Sequence, residues 1–166
     1  LHEEIDETVN ICVLSGTDMI ILDKRASSHA LRTDNLVGTS FPIAYSASGK
    51  VCLAYTDQER YAPLLRKIRQ ETLPVLTDKA YRVFLQEVED ARSSGFAYDN
   101  EEIFPGVRCI AVPLLDYSNI SVGALSVSVP TIRLYKKAQE HIEHALFNAG
   151  REISLKMGTT HPLYAE

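Results

Sequence analysis

The sharpest hydrophobic pattern in the chain lies between Gly106 and Pro130, where two apolar, β-branched runs flank the polar stretch Asp116-Tyr117-Ser118-Asn119. This arrangement predicts a β-hairpin. If Asp116–Asn119 forms the loop, Leu115 faces Ile120, and counting back along the strands sets Cys109 opposite Ser126, with Ser128 one pair further on. A tighter turn at Ser118-Asn119 keeps the same parity. Side chains alternate between faces with period two, so Cys109, Ser126 and Ser128 share a face with the small residues Ala111 and Ala124, while Leu125, Val127 and Val129 take the other. Small polar groups therefore stand where core residues would fit. Two readings are open: an ordinary half-solvated sheet face, or the floor of a small-molecule pocket that needs hydroxyl and thiol groups on a rigid element.

Upstream, Thr8–Leu14 and Met19–Asp23 make a second hairpin pattern around Ser15-Gly16-Thr17-Asp18. A weaker strand is expected over Ala30–Thr33, followed by loop signals through Gly38-Thr39-Ser40. Ser46 then opens a helix toward Tyr55, whose start leaves the amides of Ala47, Ser48 and Gly49 available to an anion; a plainly capped helix with Lys50 in solvent is the alternative. Thr56-Asp57-Gln58-Glu59 has capping-box spacing before a helix with Tyr61, Leu64, Leu65 and Ile68 on one stripe. Thr77 caps another, carrying Tyr81, Phe84, Leu85, Val88 and Ala91 and stopped by Gly95. Phe96–Asp99 reads as a short strand. After Pro130 a helix runs to about Met157, with Ala138, Ile142, Ala145, Leu146, Ala149 and Ile153 on one face and Gly158 as its stop, and Thr159–Glu166 is expected to be a loose tail. Strands on either side of a helical block predict an α+β fold, an antiparallel β-sheet with helices packed on it.

Composition narrows this further. With 166 residues, 45% of them hydrophobic, the chain supports one domain with a single sizeable core. Cys12, Cys52 and Cys109 are odd in number and form no CxxC pair, so neither a disulfide framework nor a zinc finger is indicated and a reducing, cytoplasmic setting fits better. No apolar run approaches the ~20 residues of a membrane span, and the acidic first residues lack a basic signal-peptide start, so no membrane partner is expected. A formal charge of −5 argues against a nucleic-acid surface on this chain, and the basic cluster Arg66-Lys67-Ile68-Arg69 reads as the solvated end of a helix. His141 and His144 share a helix face without a third ligand nearby, which favours a solvated face over a metal site; no cofactor is called for.

Three stretches taken together resemble the ligand-binding half of the IclR family of bacterial transcriptional regulators: Gly38-Thr-Ser-Phe-Pro42 with Ser46-Ala-Ser-Gly-Lys50; Gly95-Phe-Ala-Tyr-Asp-Asn-Glu-Glu102; and Gly106-Val-Arg-Cys-Ile-Ala-Val-Pro113 with Leu125-Ser-Val-Ser-Val-Pro130. Their order and spacing cover nearly the whole chain. The resemblance implies a GAF-like domain with a pocket for a small effector, commonly an organic acid. It places pocket positions at Ala47, Ser48, Asp99, Cys109, Ser126 and Ser128, and the helix start adds Gly49. Family members often carry a threonine before the position of Ala47 and a small apolar residue after it, where this chain has Ser46 and Ser48; the extra hydroxyl stands against borrowing an effector identity. They also carry an N-terminal winged helix-turn-helix, which is absent from residues 1–166. The chain is expected to be the effector-binding domain alone, contacting DNA only through that missing N-terminal domain and assembling as a homodimer or homotetramer.

The competing class is a GAF-like sulfur enzyme with Cys109 as nucleophile, which requires a base within hydrogen-bond reach of the thiol. None of His2, His29, His141, His144 or His161 lies in the stretches that shape the pocket, so an effector domain without catalytic residues is expected instead. Helix-end amides and two serine hydroxyls favour a small carboxylate, and Tyr45, Phe96, Tyr98 and Phe104 leave room for an aromatic or sugar-acid body.

Overall fold

A computed structural model describes residues 1–72 and 75–165. A short helix α1 (His2–Ile5) leads into β1 (Thr8–Ser15), β2 (Asp18–Arg25) and β3 (Ser40–Pro42). Helices α2 (Ala47–Ala54), α3 (Gln58–Glu71) and α4 (Asp78–Ser94) follow, then β4 (Ala97–Asn100), β5 (Val107–Leu115), β6 (Ser121–Pro130) and the terminal helix α5 (Lys136–Lys156). The strands form one antiparallel sheet in the order β3-β2-β1-β6-β5-β4. The fold is α+β, as the element order predicts.

Period-two alternation divides the apolar residues between two cores. Ile110, Val112, Leu114, Leu125, Val127 and Val129 pack beneath Ile142 and Leu146 of α5. On the opposite face Cys12, Ala111 and Ala124 stay small, which lets α2 lie close to the strands, with Phe84, Val88 and Ala91 of α4 behind it. The helix boundaries follow from their caps. Ser46 accepts the Gly49 amide, Thr77 accepts the Ala80 amide, and Gly95 takes φ 81° at the end of α4. Asp57, not Thr56, caps α3, because its carboxylate reaches the Glu59 amide at 2.7 Å.

Three expectations are corrected. The central hairpin pairs Cys109 with Ser128 and Ala111 with Ser126, not Cys109 with Ser126. Its loop runs through Ile120, held by the Asp116 carboxylate, which accepts the Ser118 amide at 2.9 Å, and the ladder shifts between Leu114 and Leu115 so that Val122 is left over. Two single-residue offsets add, so the pairing moves by an even step and the facial assignment survives.

No strand forms over Ala30–Thr33; the third strand is β3, pairing with Asp18–Ile20. Side chains from elsewhere claim the backbone of the earlier segment. Thr8 Oγ1 donates to Thr33 O at 3.3 Å, and Arg133 Nη1 donates to Leu31 O at 2.9 Å.

The tail is docked rather than loose, with Glu166 outside the described residues. Tyr164 is fully buried and its hydroxyl donates to Pro113 O at 2.7 Å. This matters because β4 accompanies β5 only as far as the Ala97–Ala111 pair. Beyond it, Pro113 presents no N–H, Tyr164 occupies its carbonyl, and Ser154 of α5 accepts the Leu115 amide at 3.0 Å.

Candidate ligand-binding site

Cross-strand pairing lays the pocket floor out in rows. Asp99, Cys109, Ser128 and Thr8, from β4, β5, β6 and β1, form the first; Ala97, Ala111, Ser126 and Asn10 form the second; Ala124 and Cys12 belong to the third. Directly paired residues point to the same face, so these small and polar side chains make one surface beneath α2. Asn10 Nδ2 donates to Ser128 Oγ at 3.3 Å, and Ser128 Oγ lies 3.3 Å from Cys109 Sγ. Cys12 meets the hydroxyls of Ser48 and Ser126.

Above this floor is a small cavity, open to solvent on one side, lined by Asp99, Cys109, Ser126, Ser128, Ala47 and Ser48. Residues 47 and 48 open α2, where first-turn amides have no helical acceptor. Gly49, grouped with them from sequence, stands apart. Its amide is taken by Ser46 Oγ at 3.0 Å, and it does not line the cavity. A Cβ at this position would lie 2.5 Å from Ile43 Cα, so Gly49 serves the close seating of α2 on the preceding loop. Phe104 lines the cavity, set edge-on to Phe41 at 5.8 Å. Of the other expected aromatics, Phe96 packs on Phe147, the Tyr98 hydroxyl donates to Glu143 of α5, and Tyr45 borders a separate groove beside α4.

Asn10, Cys12, Thr33, Asn35 and Phe41 also line it, beside Ser46 and the apolar Ile21, Ile103 and Val107, and sequence does not single these five out for the pocket. Asn10 and Cys12 share the parity of Thr8 on β1, but only the non-local β1–β6 pairing turns that parity toward the cavity.

The site's electrostatics follow from burial. Asp99 is 2% exposed, and burial raises its carboxyl above the ordinary 3.8, partly offset by the Glu102 amide and by Lys50. Its Oδ1 accepts that amide at 2.7 Å, closing the turn after β4. Burial, reinforced by the Asp99 charge, pushes the Cys109 thiol up to about 12, and burial alone raises Cys12. Neither thiol is primed as a nucleophile. Lys50 is not in solvent: it is fully buried, 2.9 Å from Glu87 of α4, paired with Glu102 and donating to Tyr98 O at 3.0 Å.

A sequence profile of the bacterial transcriptional regulator IclR C-terminal family matches residues 1–155. The chain belongs to the IclR family of bacterial transcriptional regulators. It is 32% identical over 152 residues to the HTH-type transcriptional regulator KdgR of Dickeya chrysanthemi, covering 92% of this chain and 50% of that protein. It is 33% identical over 159 residues to the HTH-type regulator BhcR of Paracoccus denitrificans, covering 95% of this chain and 56% of BhcR. The chain thus spans about half the length of these curated relatives. The crystal structure of the C-terminal domain of the E. coli regulator KdgR superposes with a TM-score of 0.78 at 28% identity, over 95% of this chain and 91% of that one. The Thermotoga maritima IclR crystal structure gives 0.82 at 26% identity, over 94% of this chain and 63% of that one. These IclR-family relatives are named as regulators, not as enzymes. Among the described residues, no helix is long and apolar enough to cross a membrane.

Proposed function

We propose that this domain senses a small organic acid in the cavity between α2 and the sheet, and that the ligand biases a homodimeric or homotetrameric cytoplasmic regulator between DNA-binding states. DNA is then contacted through an N-terminal winged helix-turn-helix outside residues 1–166. The observation that carries this reading is a hydroxyl-rich floor facing the open end of a helix across a cavity. The ligand carboxylate sits on the Ala47 and Ser48 amides.

The sheet rows also bear on Asp99, whose charge stands against an acid. Ser48 meets Cys12 in the third row, whereas Asp99 ends the first row at the opposite corner of the floor. With strands ~4.8 Å apart, the two carboxylates are kept roughly 10–15 Å from one another. Repulsion of about 4 kcal/mol at 4 Å thereby falls to about 1–2 kcal/mol at an effective dielectric of ~20. A helix-end carboxylate is tolerated, and Asp99 is left to accept a hydrogen bond from the ligand's far end.

A thermal-shift screen against small keto, hydroxy and aromatic acids tests the reading. A ligand at about 100 times its dissociation constant adds about 2.7 kcal/mol of stability. Reversible, stoichiometric heat of binding without turnover is expected; consumption of the acid would instead revive the sulfur-enzyme reading.

A further inference from the structure

The loop between β2 and β3 brings a second polar group set to the cavity. Thr33 lines it and is 9% exposed, yet its hydroxyl oxygen is enclosed and has no hydrogen-bond partner among the described residues. Leaving a buried hydroxyl unpaired is unfavourable, so its retention needs a reason. The usual one, competition with the local backbone, does not apply here. Thr33's own carbonyl is held by Thr8 Oγ1 at 3.3 Å, and that tether fixes where the residue sits.

Thr8 belongs to the first floor row, paired with Ser128, in line with Cys109 and Asp99. The α2 start meets the third row through Ser48 and Cys12. Along β1 those rows are about 13 Å apart at ~3.3 Å per residue. Side chains reach inward from both ends, which shortens the span left for a small carboxylate. At the far end Thr33, Asn35, Ser128 and Asp99 offer donors and acceptors, whereas an apolar ligand tail would leave the Thr33 hydroxyl unpaired.

Resting on the acid-sensing reading above, we infer that Thr33 is a specificity residue that hydrogen-bonds a hydroxyl at the end of the ligand remote from its carboxylate. The ligand class is a carboxylate that carries a hydroxyl at its remote end. Because the loop is pinned to β1 by Thr8, the hydroxyl is pre-positioned rather than recruited on binding.

Calorimetric titration of the 166-residue chain with erythronate, ribonate and gluconate, each beside its ω-deoxy analogue, tests this. For the chain length that fits, the terminal hydroxyl should tighten binding about five- to tenfold, as expected for one hydrogen bond rescued from burial. Thr33→Val, which keeps shape and the backbone carbonyl, should erase that ratio while both acids still bind; Thr33→Ser should keep it. An unchanged ratio in Thr33→Val overturns the role of Thr33 and leaves acid sensing standing. Preference for the deoxy acids in the wild type overturns the ligand class. If none of these acids binds while a keto or aromatic acid of the thermal-shift screen does, the hydroxyl-bearing ligand is overturned and acid sensing stands; if no acid of either set binds, the sensing reading itself falls, and this inference falls with it.

Discussion

Asp99 has two jobs that pull in different directions. Its carboxylate closes the turn to Glu102, and its charge is buried beside a cavity proposed for an anion. Asn at this position keeps an oxygen for the Glu102 amide and removes only the charge. Since burial raises the folded carboxyl above the ordinary 3.8, folding is unpenalised below that value. As pH rises toward the raised folded value the unfolded chain ionises first, and the fold loses stability to it. The wild type should therefore lose ground against Asp99→Asn as pH climbs through this interval, after which the gap stays constant. Paired thermal melts across the acidic range check it; a gap that does not move with pH would mean that Asp99 is satisfied in its charged form. With a hydroxylated acid and its deoxy analogue, the same variant should change ligand selectivity more than it changes stability at neutral pH.

At the scale of elements, Lys50 joins three of them. From the middle of α2 it reaches Glu87 on α4, Glu102 in the loop after β4 and the Tyr98 carbonyl on β4. Ile103 and Phe104, next along that loop, line the cavity, so the ion cluster sets one wall of the pocket. Removing the cation leaves two carboxylates facing one another. Breaking a buried pair costs about 3–5 kcal/mol, and because both glutamates retain partial solvent contact, Lys50→Met should fall near about 3 kcal/mol. Urea denaturation measures it; a loss below about 1 kcal/mol would show that the cluster is solvated in practice. Nothing in the sequence marks Lys50 for this position, because its partners lie far away in the chain. The floor was legible for the opposite reason. Facial parity is a period-two property that a single strand carries by itself, so Cys109, Ser126 and Ser128 were grouped correctly although the bulge at Val122 moved their pairing. Thr33 escaped notice because its place is decided by Thr8 and Arg133 rather than by its neighbours.

For the whole molecule, charge and surface make separate predictions. At a formal charge of −5, residues 1–166 should show no sequence-specific operator binding in ordinary salt, and a salt-sensitive gel shift would contradict this. Leu36, Ile132 and Tyr135 are 72%, 77% and 67% exposed, apolar surface that self-association would cover. Light scattering at tens of micromolar should report a homodimer or homotetramer, and a monomer throughout would remove that support. The α+β architecture was readable as element order, whereas the docked tail was not. A short polar segment ending in Tyr164 carries no periodicity, and the hydroxyl's acceptor, Pro113, lies on a strand far upstream.

That tail bears on how long the protein remains dispersed in solution. Past the end of β4, Tyr164 and Ser154 cover backbone groups on the flank of β5, and without them this end of the strand, the apolar residues 112–115, would stand open. Such a flank is a template for a neighbouring chain's strand. A variant ending at Gly158 keeps α5 but sheds the tyrosine, so it should begin soluble and then aggregate over hours, its turbidity rising with protein concentration. Ser154→Ala should hasten this further by leaving the Leu115 amide unpaired. If the shortened chain stays clear for as long as the parent, the last residues are packing alone and the sheet is guarded by some other means.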